Sequence, residues 1–381
     1  MIYLDNAATS FPKPNRVYDE MDRCLREYCA NPGRGGHQMS IKSSKELMKA
    51  RKVVSSFFNI KNPLRLCFTR NATESLNFAI KGILKEGDHV ITTCMEHNAV
   101  MRPLKTLEKD IGIKITILKG DKYGRIDIGE IEKSICSRTS LIVCTLSSNV
   151  NGIIYPINEI GKIAKDNNVT FLVDASQGAG TIKIDVESMH IDMLAFPGHK
   201  GLLGPQGTGG LYVREGINIK SIIQGGTGSN SESMYQPEIM PDALESGTLN
   251  TPGIIGLRYG IEFIDSIGLD NLRLHKYMLT KRLHEGIEDI NKSILYSLNS
   301  EECNSGIVAM NFTEADSTEI SYVLDKEFQI ATRAGLHCAP LAHNTLGTAG
   351  KGIVRFSVGC FNTIDDIDYT IEALQKIAAK L

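Results

Sequence analysis

Between about residues 65 and 215, short apolar, β-branched runs alternate with stretches of helical periodicity, and this alternation restricts the fold more than any other feature. The runs LRLCFT (64–69), HVITT (89–93), KITIL (114–118), SLIVCTL (140–146), TFLVDAS (170–176), MLAF (193–196) and GGLYV (209–213) read as strands. Helical patterns such as Thr73–Lys81 and Ile157–Asp166 lie between them. Several runs are apolar along their whole length, which means burial on both faces. Such strands joined by helices predict an α/β fold with a mainly parallel sheet. Ligands of these sheets collect at the carboxyl ends of the strands, so the chemistry is sought there.

The pattern changes near Thr251-Pro252-Gly253. Long helical stretches follow (about 254–267 and 272–290), then weaker strands near IVAMNF (307–312) and GIVRFSV (352–358), then an amphipathic helix over about 363–381. This predicts a large domain over residues 16–250 and a smaller α+β domain over 251–381. The opening segment, 1–15, is expected to cross back and pack with the smaller domain.

Composition excludes several function classes. Hydrophobic residues make up 42% and charged residues 23%, as in ordinary soluble proteins. A net charge of -2 provides no global field for nucleic acid or an anionic membrane. The densest basic run, Lys42, Lys45, Lys49, Arg51 and Lys52, reads as a solvated helix face. No apolar run reaches membrane-spanning length, and MIYLDNAATS does not read as a secretory leader, so a cytoplasmic location is expected. The nine cysteines have scattered spacing with no C-x-x-C pair, which argues against a disulfide framework and against a zinc site. Most are expected to be buried, inert thiols, including those in apolar runs (Cys67, Cys94, Cys144) and helical patterns (Cys24, Cys29, Cys136).

Five features sit at strand ends in chain order. FTRNATESLNFAI ends a strand and opens a helix at Thr73, where free N–H groups and the positive dipole end suit a phosphate. His97, in MEHN, follows the next strand, where an imidazole can lie flat on a ring. Asn149, in SSNVNG, presents an amide at another strand end. Asp174 closes the strongly apolar strand TFLVD, and a buried carboxylate needs a cationic partner. A protonated pyridine nitrogen is such a partner, although an Asp there also suits a helix cap. His199-Lys200 stands in the glycine-rich turn after MLAF, where partial desolvation makes a lysine a usable nucleophile. Each feature alone suits an ordinary cap or surface residue; together they outline a pyridoxal-phosphate site.

With YLDNAATS, VDASQ, GHK and RAGLHCA in place, the chain resembles class V aminotransferase-fold proteins of pyridoxal-phosphate fold type I. Within that family it resembles the group II, SufS/CsdA-like cysteine desulfurases, from near its first residue to VRFSVGCFNT. The resemblance implies pyridoxal 5'-phosphate as cofactor, with Lys200 holding it as a Schiff base and carrying the Cα proton. It implies Asp174 on the pyridine nitrogen, and His97 stacked on the ring as a candidate acid. Asn149 falls on the substrate amine or carboxylate side, and Gln177 on the ring hydroxyl. Ala72, Thr73 and His199 fall at the phosphate, as does Thr248 reaching in from the other subunit of a homodimer. Arg355 falls on the substrate carboxylate, with Arg333 assisting.

The same resemblance makes Cys338 the thiolate that takes sulfur from L-cysteine, leaving L-alanine and an enzyme persulfide for a sulfur-acceptor protein. Arg333, His337 and His343 are expected to make its surroundings electropositive, as thiolate character requires. Cys360, close after Arg355, is the other cysteine of interest. The chain departs from the family pattern at Pro197, Ala72, Asn98 and Leu336, which implies an altered phosphate cradle and a less polar cysteine loop. L-selenocysteine remains an alternative substrate. A class V transamination, epimerisation or β-elimination without Cys338 is a second reading, and a sulfur carrier without turnover a third.

Overall fold

In the computed structural model of the chain, which describes residues 1–33 and 35–381, the β-branched runs form the strands of two main sheets. The strands are β1 (Ile2–Tyr3), β2 (Leu66–Thr69), β3 (His89–Thr93), β4 (Lys114–Leu118), β5 (Thr139–Thr145), β6 (Thr170–Asp174), β7 (Met193–Pro197), β8 (Gly209–Val213), β9 (Ser293–Leu295), β10 (Ile307–Phe312), β11 (Ile330–Ala331), β12 (Arg333–Gly335) and β13 (Ile353–Ser357). The helices are α1 (Asn15–Glu27), α2 (Gln38–Phe57), α3 (Ala72–Ile83), α4 (Asn98–Ile111), α5 (Gly129–Ser134), α6 (Ile157–Asp166), α7 (Thr251–Ile267), α8 (Leu269–Glu288), α9 (Ser317–Phe328), α10 (Pro340–Leu346) and α11 (Ile364–Ala378).

Seven strands form the larger sheet in the order β2-β8-β7-β6-β5-β3-β4. All neighbours are parallel except β8, which runs against both β2 and β7. Successive residues feed opposite faces. Val143, Leu172 and Ala195 join one apolar core, while Cys144, Val173 and Phe196 join the other. Burial on both sides explains the unbroken apolar runs.

The smaller sheet is antiparallel, β12-β13-β10-β9, with its own core from α8, α9 and α11. In the opening segment, β1 pairs with β11 in a separate two-stranded sheet, and Asp5 bridges Ser357 of β13. One helix falls elsewhere than its sequence suggests. α7 packs on α1 and α2, and its Ile254, Leu257 and Ile261 complete the core under the large sheet.

The basic run on α2 is also only partly a solvated face. Lys42, Lys45, Lys49 and Lys52 are exposed, whereas Arg51 is buried. Its guanidinium meets Glu245 in two parallel bonds of 2.8 and 2.7 Å, and Glu245 also accepts the Phe68 N–H. This pair fastens the segment before Thr248 to strand β2. The cysteines divide likewise: Cys24, Cys67, Cys94 and Cys144 are buried, but Cys29 and Cys136 are exposed just beyond helix ends. No helix among the described residues is long and apolar enough to cross a membrane.

Candidate active site

The carboxyl ends of β2, β3, β5, β6 and β7 surround a cavity of about 480 Å³. Its walls include Ala72, Thr73, His97, Asn149, Asp174, Gln177, Pro197, His199 and Lys200. Nearly every residue read from the strand ends therefore meets in one place.

At one side lies the start of α3. Asn71 caps it, its side chain accepting the Glu74 N–H at 2.9 Å. The N–H groups of Ala72 and Thr73 precede the helix's own hydrogen-bond ladder, which leaves a pole for an anion. His199 stands near by with its Nδ1 buried and without a partner. Burial lowers its pKa to about 4, helped by Lys200 and Lys13, so the ring is neutral at pH 7. Pro197 supplies no hydroxyl here, and Ala72 supplies only backbone.

Asp174 ends β6, almost wholly buried. Its Oδ1 accepts the Ser176 N–H at 2.9 Å. Lys200 shares the cavity, and burial lowers its pKa to about 8, against the opposing pull of Asp174. His97 caps α4, its Nδ1 accepting the Ala99 N–H at 3.0 Å. Burial takes its pKa down to about 4, so the ring is neutral and its proton belongs on Nε2. Beside it, Glu96 is wholly buried and accepts from Thr93 Oγ1 and the Thr145 N–H. Burial raises its pKa to about 8, which leaves a neutral carboxyl next to the site. Sequence reasoning passed over Glu96; its only signal was an acid directly after an apolar strand.

The cysteine loop is tied to the rim of this cavity. His337 and Cys338, between β12 and α10, both take left-handed backbone angles, φ 49° and 56°. The Asn149 side chain donates to the His337 carbonyl at 2.8 Å, and the Asn98 N–H to the Cys338 carbonyl at 2.7 Å. The unusual Asn98 thus serves through its backbone, and the unusual Leu336 is exposed beside the exposed Cys338. The expected cationic histidines are not cations. His337 and His343 are buried, stack with ring centres 5.7 Å apart, and have pKa values lowered to about 3 and about 4, chiefly by burial. Their role is to pack the base of the loop.

Arg355 lies on β13 opposite Arg333 of β12. It is buried, donates to the Asn149 carbonyl at 2.8 Å, and forms an ion pair with Asp5. Asp5 was not foreseen as a site residue. Gln177 donates to the Ala7 carbonyl at 3.0 Å, so the opening segment also closes this wall. Thr248 is not brought to the cavity within one chain: it is exposed and accepts from Asn31.

Residues 2–370 match the aminotransferase class-V family, and the chain belongs to that family. A probable cysteine desulfurase of Pyrococcus abyssi is 34% identical over 389 residues, covering all of this chain and 95% of that protein. Among solved structures, the apo cysteine desulfurase of Thermococcus onnurineus NA1 is 33% identical with a TM-score of 0.95, over all of this chain and 95% of that one. The cysteine desulfurase CsdA of Escherichia coli is 25% identical with a TM-score of 0.90, over 99% of this chain and 94% of that one.

The family depends on pyridoxal phosphate, and the residues present fit that group. The buried carboxylate of Asp174, in the cavity wall, would suit a protonated pyridine nitrogen. A helix N-terminus and an orphaned His199 nitrogen suit the phosphate, and Lys200 suits the aldehyde carbon.

Proposed function

We infer that the chain is a pyridoxal-phosphate-dependent cysteine desulfurase that converts L-cysteine to L-alanine and a persulfide on Cys338. The observation that carries this reading is the pair of ties from Asn98 and Asn149, which fasten the backbone of the exposed Cys338 and its neighbour His337 to the rim of the cavity of Lys200 and Asp174.

When bound, the cofactor supplies an electron sink that lets the substrate Cα give up its proton. The chain supplies the rest. A lysine with a pKa near 8 keeps a usable fraction of free amine at pH 7, so Lys200 can anchor the cofactor and then carry the Cα proton. Asp174, held by the Ser176 N–H, keeps the ring nitrogen protonated. Neutral His97 offers a flat face and an Nε2–H donor. Arg355 receives the substrate carboxylate. The Cys338 thiolate attacks the substrate sulfur; an S–S bond forms as the C–S bond breaks, and the carbon fragment keeps the electron pair and is protonated to alanine. An acceptor thiol then removes the outer sulfur by exchange.

Finer features follow from the same reading. The RAGLHCA loop and the likeness to CsdA favour the group II branch. The exposed Met234, Tyr235 and Ile239 favour a homodimer in which Thr248 serves the other subunit's phosphate. Nine free thiols favour a reducing, cytoplasmic setting and a protein thiol as sulfur acceptor. L-Selenocysteine fits the same residues.

The test is incubation with L-cysteine, measuring alanine and the mass of the Cys338 peptide. One added sulfur atom is expected there. A Cys338→Ala enzyme that kept the full rate would overturn the reading.

A further inference from the structure

A second cavity, of about 460 Å³, lies on the other side of Lys200, sharing only Gln177 and Lys200 with the first. Asn6, Ser10, Thr181, Lys276, Ser357 and Cys360 are among its walls. No Asp or Glu lines it among the described residues. Lys276 enters from α8, and its Nζ donates to Thr181 Oγ1 at 2.9 Å. Gly306, at φ 102°, makes room for it: a Cβ there would stand 2.8 Å from the Lys276 Cε. Lys13 approaches behind Ser10, donating to Ser10 Oγ at 2.6 Å and to the His199 carbonyl at 2.8 Å. Neither lysine has a carboxylate within ion-pair distance among the described residues.

The charge inventory is therefore one-sided. Burial lowers both lysines to pKa values of about 8, which still leaves them mostly protonated at pH 7. Burial raises Cys360 to about 11 against the pull of both lysines, so it is a thiol and does not neutralise them. Both lysines are half-buried, and charges drawn partly out of water are ordinarily paired. Two ammonium groups beside a cavity without an acid lack a counter-ion.

We propose that this second cavity binds a small anion, a carboxylate or a sulfur oxyanion, held by the Lys276 ammonium with the Cys360 thiol beside it. The thiol makes the site readable. Iodoacetate and iodoacetamide alkylate the same atom but differ in charge, so their ratio at Cys360 reports whether the cavity gathers anions.

The experiment uses the holoenzyme, limiting reagent and peptide mass analysis, with the exposed Cys29 as the internal reference. The iodoacetate-to-iodoacetamide ratio at Cys360 is expected to exceed that at Cys29 by roughly tenfold or more, as for a cleft lined by one sign of charge. Lys276→Met is expected to bring the ratio down to that of Cys29, and Lys276→Arg to keep it. Protection of Cys360 by acetate identifies a carboxylate ligand; protection by thiosulfate identifies a sulfur oxyanion. Equal ratios at the two cysteines in the unaltered enzyme would overturn the proposal. So would a Cys360 that neither reagent reaches, protection by neither anion, or a preference that survives Lys276→Met.

Discussion

Arg355 meets Asp5 with Nη2 and Oδ1 2.6 Å apart, so the guanidinium proposed to receive the substrate carboxylate already has a carboxylate of its own. The two residues are 350 positions apart. Asp5 relieves the cost of a buried charge, but it also competes with substrate for the same cation. Asp5→Asn is expected to lower KM for L-cysteine roughly three- to tenfold, the worth of about 1 kcal/mol. The same change lowers the Tm of the substrate-free protein. A KM that stays level or rises would mean that Asp5 only orients Arg355.

Lys200 makes cofactor uptake depend on pH. The nucleophile is the free amine, and burial brings its pKa down to about 8. Reconstitution of the apo-protein with pyridoxal phosphate should therefore quicken about tenfold from pH 6 to 7 and level off above pH 8. Stopped-flow absorbance measures this directly. A rate still climbing tenfold per unit past pH 9 would place the amine near its ordinary pKa.

Two buried imidazoles, His337 and His343, and two half-buried ones, His97 and His199, shape the acid side of the stability profile. His97, His199 and His343 fall to about 4 and His337 to about 3. Between pH 6.5 and 4 the unfolded chain binds more protons at these groups than the folded one, so stability falls as pH falls. Glu96, raised to about 8, works the other way between pH 8 and 4.5, but it is one group against these four imidazoles and His89, which burial also lowers. Calorimetry of the apo-protein should show Tm dropping between pH 6.5 and 5. A flat Tm over that interval would contradict the neutral, desolvated state of these rings.

Breaking the Arg51–Glu245 pair should be costly because each partner leaves the other as an unpaired buried charge. Glu245→Ala is expected to destabilise the protein by about 3–5 kcal/mol in denaturant unfolding. Replacing both with apolar residues of similar size should recover most of that loss. A double variant no more stable than the single one would show that the loss comes from elsewhere.

Much of this molecule was legible because its informative residues obey local rules. The strands 89–93, 114–118, 209–213 and 307–312 occur with the bounds read from their β-branched runs. The strand-end residues Thr73, His97, Asn149, Asp174 and Lys200 could be read because a parallel sheet sends all such ends to one edge. What stayed hidden depends on burial and on distant pairing. Arg51 looks like its lysine neighbours until Glu245 arrives from across the chain. His337 and His343 look cationic until packing removes their water. Asp5 and Lys276 have no local pattern at all. Thr248 is exposed outside its own chain's cavity, and only the family resemblance, not any local pattern, marked it as a site residue.

The backbone of the cysteine loop has a mechanical consequence. Left-handed angles cost an L-residue about 1–2 kcal/mol, and His337 and Cys338 adopt them in succession. The two carbonyl ties to Asn149 and Asn98 hold the segment against that cost. The loop is thus a cocked spring with two catches. Breaking either catch, at Asn98 or at Asn149, releases backbone strain held directly beside Cys338.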